Sequence, residues 1–145
     1  MPGEHSIQSA FLYICCNLRK GMKKGRARAK TGTDSLVKQI VLGIQEKKGS
    51  DIVVLDLRSL KYASTDQFII CSASSDRQTQ AIANEVEEKV REKLNEKPWH
   101  VEGLQAGEWI LMDYVNVVVH IFLERSREFY KLEELWGDAP ATRYE

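Results

Sequence analysis

Cysteine and histidine are scarce in this chain, three of each among 145 residues, and both shortages exclude chemistry. Cys15, Cys16 and Cys71 are odd in number, and two adjacent cysteines bridge each other only with strain, so no disulfide framework is expected. A reducing compartment follows, and the cytoplasm is the expected location. His5, His100 and His120 stand too far apart for the ligand spacing of a zinc site, so no metal and no other cofactor is expected. Long apolar runs are also missing. Stretches such as Val117 to Val119 are strand-sized, far below the roughly 20 residues that a membrane-spanning helix needs, so no membrane partner is expected.

What is present suits one globular domain: 43% of the residues are hydrophobic, enough for a core that closes on itself. The formal net charge of zero hides an asymmetry. Residues 1–32 carry seven Lys and Arg against Glu4 alone, a balance of +6, which leaves 33–145 at −6. An acidic body repels phosphate backbones and attracts basic proteins, so direct nucleic-acid binding by the body is not expected. Residues 1–32 lack sustained periodicity and read as a disordered basic arm. Its apolar stretch, 10–16, follows Glu4 where a signal peptide would have Lys or Arg, and no small-residue cleavage site comes after it. A transit peptide fits the arginines better but not their late clustering or the few serines. Met22, followed at once by Lys-Lys-Gly-Arg, is read as the true start.

From Thr33 the pattern becomes regular. Thr33 and Asp34 offer N-caps, Leu36, Val37, Ile40, Val41 and Ile44 recur at helical spacing, and Gly49 is placed just past the helix end. Ile52 to Leu57 reads as a buried strand. A loop containing Tyr62, Ser64, Thr65 and Asp66 leads to a second strand over Phe68 to Ser72. Ser75 and Gln78 make a capping box for a helix that carries Ile82, Val86, Val90 and Leu94 and stops before Pro98. Three strands follow, near Trp99 to Val101, Glu108 to Met112 and Val115 to Leu123. In the last, Val115, Val117, Val119, Ile121 and Leu123 share one face while Asn116, Val118, His120 and Phe122 share the other. Both faces are apolar, as in a central strand covered on each side. A single helix over about Ser126 to Trp136 ends at Gly137. The expected fold is α/β, a mixed sheet of about five strands flanked by helices, with residues 138–145 as a tail.

Catalytic constellations do not assemble. Cys71 sits between Ile70 and Ser72 in a strand, where a buried cysteine is inert. His120 lacks a second catalytic residue type and reads as a neutral, hydrogen-bonded histidine. Gly103, Gly107 and Gly137 follow neither phosphate-binding fingerprint. Ser72 to Ser75 could hold an anion at a helix N-terminus, but capping accounts for those serines. Asp56 and Asp113 have no acidic neighbour, so the carboxylate pair of two-metal phosphoryl transfer is missing. Recognition chemistry is richer. Trp99, Trp109, Tyr114, Tyr130 and Trp136 fall in the C-terminal third beside Arg125 and Arg127, and such residues dominate interface energetics. Phe129, Leu132 and Leu135 are read as core by their helical spacing. Trp109 is the first candidate anchor, because Ile110 and Met112 can serve the core while Trp109 and Asp113 share the opposite face.

The stretch Val101 to Phe122, with Val-Glu-Gly-Leu-Gln-Ala-Gly-Glu-Trp-Ile-Leu-Met-Asp-Tyr-Val-Asn-Val-Val-Val-His-Ile-Phe, and Arg127 to Trp136 closely resemble the signature of the ribosomal silencing factor, or Iojap-like, family. Asp51 to Asp56 and Thr65 to Cys71 are similar to the same family in the same order, so the resemblance spans 33–137 and leaves 1–32 outside. It implies a nucleotidyltransferase-like fold without enzymatic activity. It also implies a partner, protein fourteen of the large ribosomal subunit, on the face that meets the small subunit. Binding there would block subunit joining and repress translation, while organellar relatives aid large-subunit assembly. A homodimer of the free protein is the other expected association. Carried over residue by residue, the partner-binding surface would comprise Glu102, Gly103, Trp109, Asp113, Tyr114, His120, Tyr130, Leu132, Leu135 and Trp136. Tyr114 and Asn116 depart from many relatives. The competing readings are a nucleotidyltransferase-like enzyme using Asp56 and Asp113, and a direct RNA binder acting through the arm.

Overall fold

The first long helix, α1 (Thr33–Glu46), buries Leu36, Val37, Ile40, Val41 and Ile44, the stripe its periodicity predicts. The computed structural model describes residues 32–60, 63 and 65–145, so the arm up to residue 31, with Cys15 and Cys16, and the loop residues Tyr62 and Ser64 lie outside the described residues. Two details of α1 differ from expectation. Gly32 is the N-cap and no side chain caps the helix, with Asp34 instead in the first turn, where a carboxylate meets the helix dipole favourably. At the other end Lys48, at φ 60, takes the left-handed position assigned to Gly49. Gly49 is small for another reason: a Cβ there would lie 2.4 Å from Ile44 Cγ2.

Strand β1 (Ser50–Asp56) runs antiparallel to β2 (Gln67–Ala73), with an irregularity in register between Ser50 and Val53. Helix α2 (Asp76–Leu94) begins as predicted: Ser75 Oγ accepts the Gln78 N–H at 3.1 Å. The Gln78 carbonyl oxygen in turn accepts the Ser74 N–H, and its amide donates to the carbonyls of Lys47 and Lys48, tying the start of α2 to the end of α1. Asn95, left-handed at φ 53, ends the helix before Pro98.

Strands β3 (His100–Glu102), β4 (Trp109–Asp113) and β5 (Val117–Leu123) follow. The single helix expected at the C-terminal end is two, α3 (Glu124–Tyr130) and α4 (Leu132–Leu135), because Lys131 adopts φ 48 and breaks the helical path. Nor are residues 138–145 simply a tail: β6 (Ala141–Tyr144) pairs antiparallel with β1. The sheet therefore has six strands, in the order β3-β4-β5-β2-β1-β6, with β2 and β5 parallel and every other pair antiparallel. The mixed α/β architecture is the one expected, with one strand more.

Alternation along the strands divides the interior into two cores. Helices α1 and α2 cover the face carrying Ile52, Val54, Ile69, Ile110, Met112, Val117, Val119 and Ile121. The opposite face, with Val53, Leu55, Phe68, Ile70, Trp109, Leu111, Val118 and Phe122, is covered by Leu57, Leu132 and Ala139, flanked by Leu60, Tyr130 and Trp136. Among the described residues no helix is long and apolar enough to cross a membrane.

Val115 and Asn116, expected to open the last strand, instead form the turn between β4 and β5, because Val115 takes a left-handed conformation that a strand cannot contain. Val115 has φ 75, a conformation that a β-branched side chain adopts only at a cost of about 1–3 kcal/mol. The Asn116 N–H closes back on the Tyr114 carbonyl at 2.9 Å, the pattern of a γ-turn. Asp113 Oδ1 accepts the Val115 N–H at 2.7 Å, and Thr65 Oγ1 donates to its carbonyl at 3.0 Å, so both sides of the residue are pinned. Glycine suits this φ, at some entropic cost in the unfolded chain. Val115→Gly should therefore stabilise the fold by about 1 kcal/mol and raise Tm by a few degrees in a thermal melt. A lowered Tm would show that the valine side chain contributes more than the turn costs.

Candidate functional site

The break at Lys131 decides what the C-terminal segment exposes. A continuous helix would put Phe129 and Leu132 on one face, three residues apart. With the left-handed turn between them, Leu132 is buried against the second core while Phe129 is 77% exposed and Leu135 is 64% exposed. Neither is the core residue that helical spacing suggests. Tyr130 and Trp136, half-buried, lie between the exposed pair and the sheet.

Arg127 holds this segment in place. Its Nη1 donates to the Asp51 carbonyl at 2.7 Å and to Ser72 Oγ at 2.8 Å, and its Nε donates to Glu133 Oε1 at 2.7 Å. One guanidinium thus links α3 to β1, β2 and α4. Asp51, at φ 49, sits where the β1 register shifts and turns its carbonyl to that guanidinium. Beside this clamp is a concavity of about 680 Å³ lined by residues including Lys131, Glu133, Glu134 and Arg143.

Behind the exposed side chains the rings are contiguous. Phe129 meets Tyr130 edge-on at 5.0 Å between centroids, Tyr130 lies 5.0 Å from Trp109, and Trp109 stacks on Phe122 at 4.8 Å. On the other side Trp136 meets Phe68 edge-on at 5.3 Å, and Phe68 meets His120 at 4.7 Å. Aromatic pairs at such distances contribute beyond their buried area. Phe129 is therefore joined to the second core through Tyr130 and Trp109.

His120 is fully buried in that stack. The Trp109 indole N–H, which can only donate, bonds His120 Nδ1 at 3.1 Å, and this places the neutral ring's proton on Nε2. Nε2 has no hydrogen-bond partner. Burial alone pushes the imidazole pKa down to about 3. The reading of His120 as neutral and hydrogen-bonded thus matches its surroundings, with one ring nitrogen left over.

The ten predicted surface residues separate accordingly. Trp109 does alternate with Ile110 and Met112 as predicted, but its face of the sheet is covered and it is 1% exposed. It is a core residue. Asp113, Tyr114, His120 and Leu132 are buried as well, and Tyr114 faces the helix-covered core. Gly103 is structural: at φ 80, a Cβ would lie 2.0 Å from the Trp109 carbonyl oxygen. Half-buried Glu102 engages His100 Nε2 at 2.6 Å on the edge strand, away from the C-terminal segment. Tyr130 and Trp136 are half-buried against the second core, and Leu135 is exposed beyond the break at Lys131. Phe129, whose ring meets Tyr130, is exposed on the other side of that break, for which helical spacing carries no signal.

Residues with catalytic potential are held apart. Asp56 and Asp113 sit at the same end of the sheet but three strands apart, about 14 Å at ~4.8 Å per strand. The Arg58 guanidinium, 2.7 Å from Asp56, holds that carboxyl below its ordinary range. Burial pushes the Cys71 thiol up to about 12. Among the described residues no three or more His, Cys, Asp or Glu side chains are placed to hold a metal ion.

The model of the family described as ribosomal silencing factor during starvation matches residues 30–145, which includes β6. The Bacillus subtilis ribosomal silencing factor RsfS is 38% identical over 107 residues, covering 73% of this chain and 88% of that protein. The mouse mitochondrial assembly of ribosomal large subunit protein 1 is 29% identical over 103 residues, covering 69% of this chain and 44% of its own. A crystal structure of a Chromobacterium violaceum protein superposes with a TM-score of 0.70 at 34% identity, covering 74% of this chain and 88% of that one.

Proposed function

The chain belongs to the family of ribosomal silencing factors, and we propose that it silences ribosomes by binding the large subunit and occupying the face that the small subunit needs. The partner on that subunit is protein fourteen, a basic protein surface to which an acidic body is electrostatically suited. Silencing of this kind is steric and needs no turnover. The three strands' width between Asp56 and Asp113, about 14 Å, and the Cys71 thiol that burial keeps protonated support that part of the reading, against a nucleotidyltransferase-like enzyme.

One observation carries the choice of surface. Phe129 and Leu135 expose large apolar side chains on either side of the break at Lys131, Phe129 against the Tyr130 ring, with Glu128, Glu133 and Glu134 close in sequence. Interfaces take most of their energy from a few desolvated anchors ringed by polar groups. Of the ten residues the family resemblance points to, Leu135, Tyr130 and Trp136 are the contacts in this reading, while Trp109, His120 and Leu132 support them from beneath. A homodimer of the free protein would use the same exposed rings and compete with the ribosome.

The test is Phe129→Ala combined with Leu135→Ala, measured by co-pelleting with separated ribosomal subunits. Affinity for the large subunit should fall at least tenfold while unfolding free energy stays within about 1 kcal/mol of wild type, since both side chains already face water. Unchanged affinity in a folded variant would rule out this surface.

A further inference from the structure

The sheet ends at β6, whose outer edge is open. Among the described residues β6 pairs with β1 alone, and all four of its residues are exposed. The Asp56 N–H donates to the Pro140 carbonyl at 2.9 Å, which sets the alternation of the antiparallel ladder. Backbone groups of Pro140, Thr142 and Tyr144 therefore face β1, and those of Ala141 and Arg143 face outward. At the next outward position the backbone oxygen of Glu145 accepts the Gln45 side-chain N–H, so a donor from α1 already sits where a further strand's amide would lie.

The two faces of this edge differ in chemistry. Thr142 and Tyr144, opposite Val54 and Ile52, share the helix-covered face. There a groove of about 390 Å³ separates α1 from β6, walled by Val37, Val41, Leu42 and Val54. It leaves Leu42 and Tyr144 each 39% exposed. On the other face Arg143 borders the concavity beside the Arg127 clamp, which is lined by five carboxylates against three cations.

We propose that β6 is a docking edge for an extended segment of a basic partner protein, which adds to the sheet as a seventh strand. An open edge is a template for such pairing. Hydrogen bonds to the outward groups of Ala141 and Arg143 supply affinity without regard to sequence, and alternate side chains supply selectivity. Those on one face are apolar, to enter the groove beside Leu42, and those on the other are basic, to meet the carboxylate-rich concavity. A second copy of this chain suits the edge less well, because pairing about Arg143 would set two arginines opposite each other. Phe129 and Leu135 play no part here, so this edge and the proposed large-subunit surface stand or fall separately.

The test uses the full chain and a synthetic peptide, Lys-Val-Lys-Tyr-Lys-Val-Lys, blocked at both ends. A peptide of the same composition in block order, Lys-Lys-Lys-Lys-Val-Val-Tyr, is the control for charge. Affinities come from NMR titration, and amide hydrogen exchange is measured at saturation. The alternating peptide should bind at least about fivefold tighter than the block peptide, the effect of roughly one main-chain hydrogen bond. Amides of Ala141 and Arg143 should gain protection, while those of Thr142 and Tyr144, already facing β1, change little. Ala141→Pro removes an outward N–H at the first residue of an edge strand, where proline is tolerated, and should weaken binding about fivefold. Leu42→Gln, on α1, should weaken it by a similar factor without touching the strand, so the test stands even if the proline loosens β6. Equal affinities for the two peptides would reduce the contact to charge and overturn the proposal. So would amides of Ala141 and Arg143 that exchange as fast with the peptide as without it. Protection of those two amides that rises with protein concentration alone would assign the edge to a second copy, and would also overturn it.

Discussion

Replacing Trp109 by alanine should destabilise the protein by about 3–5 kcal/mol, the range for removing a large buried aromatic. The ring is 1% exposed and contacts Phe122, Tyr130 and His120. Truncation would open a cavity under the exposed surface and strand a second polar atom, His120 Nδ1, without its donor. Against a typical total stability of about 5–15 kcal/mol, that is a large fraction. Chemical denaturation monitored by circular dichroism measures it directly. Trp109→Phe separates the two contributions: it keeps most of the packing and loses only the indole N–H, so it should cost less than the alanine variant. Wild-type stability for Trp109→Ala would mean that the residue is not part of the core.

Acid should weaken the fold through His120. In the unfolded chain its imidazole titrates near 6.5, whereas burial in the folded protein lowers the pKa to about 3. Above pH 6.5 both states hold the ring neutral and no dependence arises. Below it the unfolded state binds a proton that the folded state refuses, so stability falls as pH drops from about 6.5 towards 3. At one pKa unit per 1.36 kcal/mol, the loss reaches about 2 kcal/mol by pH 5. Urea melts at pH 7 and pH 5 on the wild type and on His120→Phe test this. The variant removes the titrating group, so its stability should change less between the two pH values. Identical pH dependence in both proteins would show that His120 is not responsible.

Much of the fold is written in local pattern. The stripe from Leu36 to Ile44, the Ser75 and Gln78 cap and the alternation of Val117, Val119 and Ile121 against Val118, His120 and Phe122 all follow from helix and strand geometry, and all stand in the structure. The features that depend on distant contacts are a different matter. Nothing local in Ala141 to Tyr144 alternates apolar with polar, and the strand exists because β1 offers it an edge. Lys131 is left-handed without being glycine; the clamp of Arg127 on Asp51, Ser72 and Glu133 and the burial of Leu132 hold the chain there.

The candidate site shows the same division. Alternation assigns Trp109 correctly to the face opposite Ile110 and Met112, but alternation cannot say whether that face is covered. The cover comes from Leu57, Leu132 and Ala139, between 23 and 52 residues away in sequence. Aromatic composition thus points to the third of the chain that holds the proposed surface, and the outward pair, Phe129 and Leu135, emerges only once the break at Lys131 is seen.

If this protein keeps ribosomal subunits apart by sitting on the large one, subunit joining itself registers the effect. Purified large and small subunits, mixed at a Mg²⁺ concentration that favours joining, can be followed by light scattering and then separated on a sucrose gradient. Added wild-type protein should reduce the joined fraction in proportion to its occupancy and sediment with the free large subunit, and the Phe129→Ala, Leu135→Ala variant should do neither at the same concentration. Undiminished joining at saturating wild-type protein, or sedimentation with the small subunit instead, would show that the protein does not silence ribosomes this way.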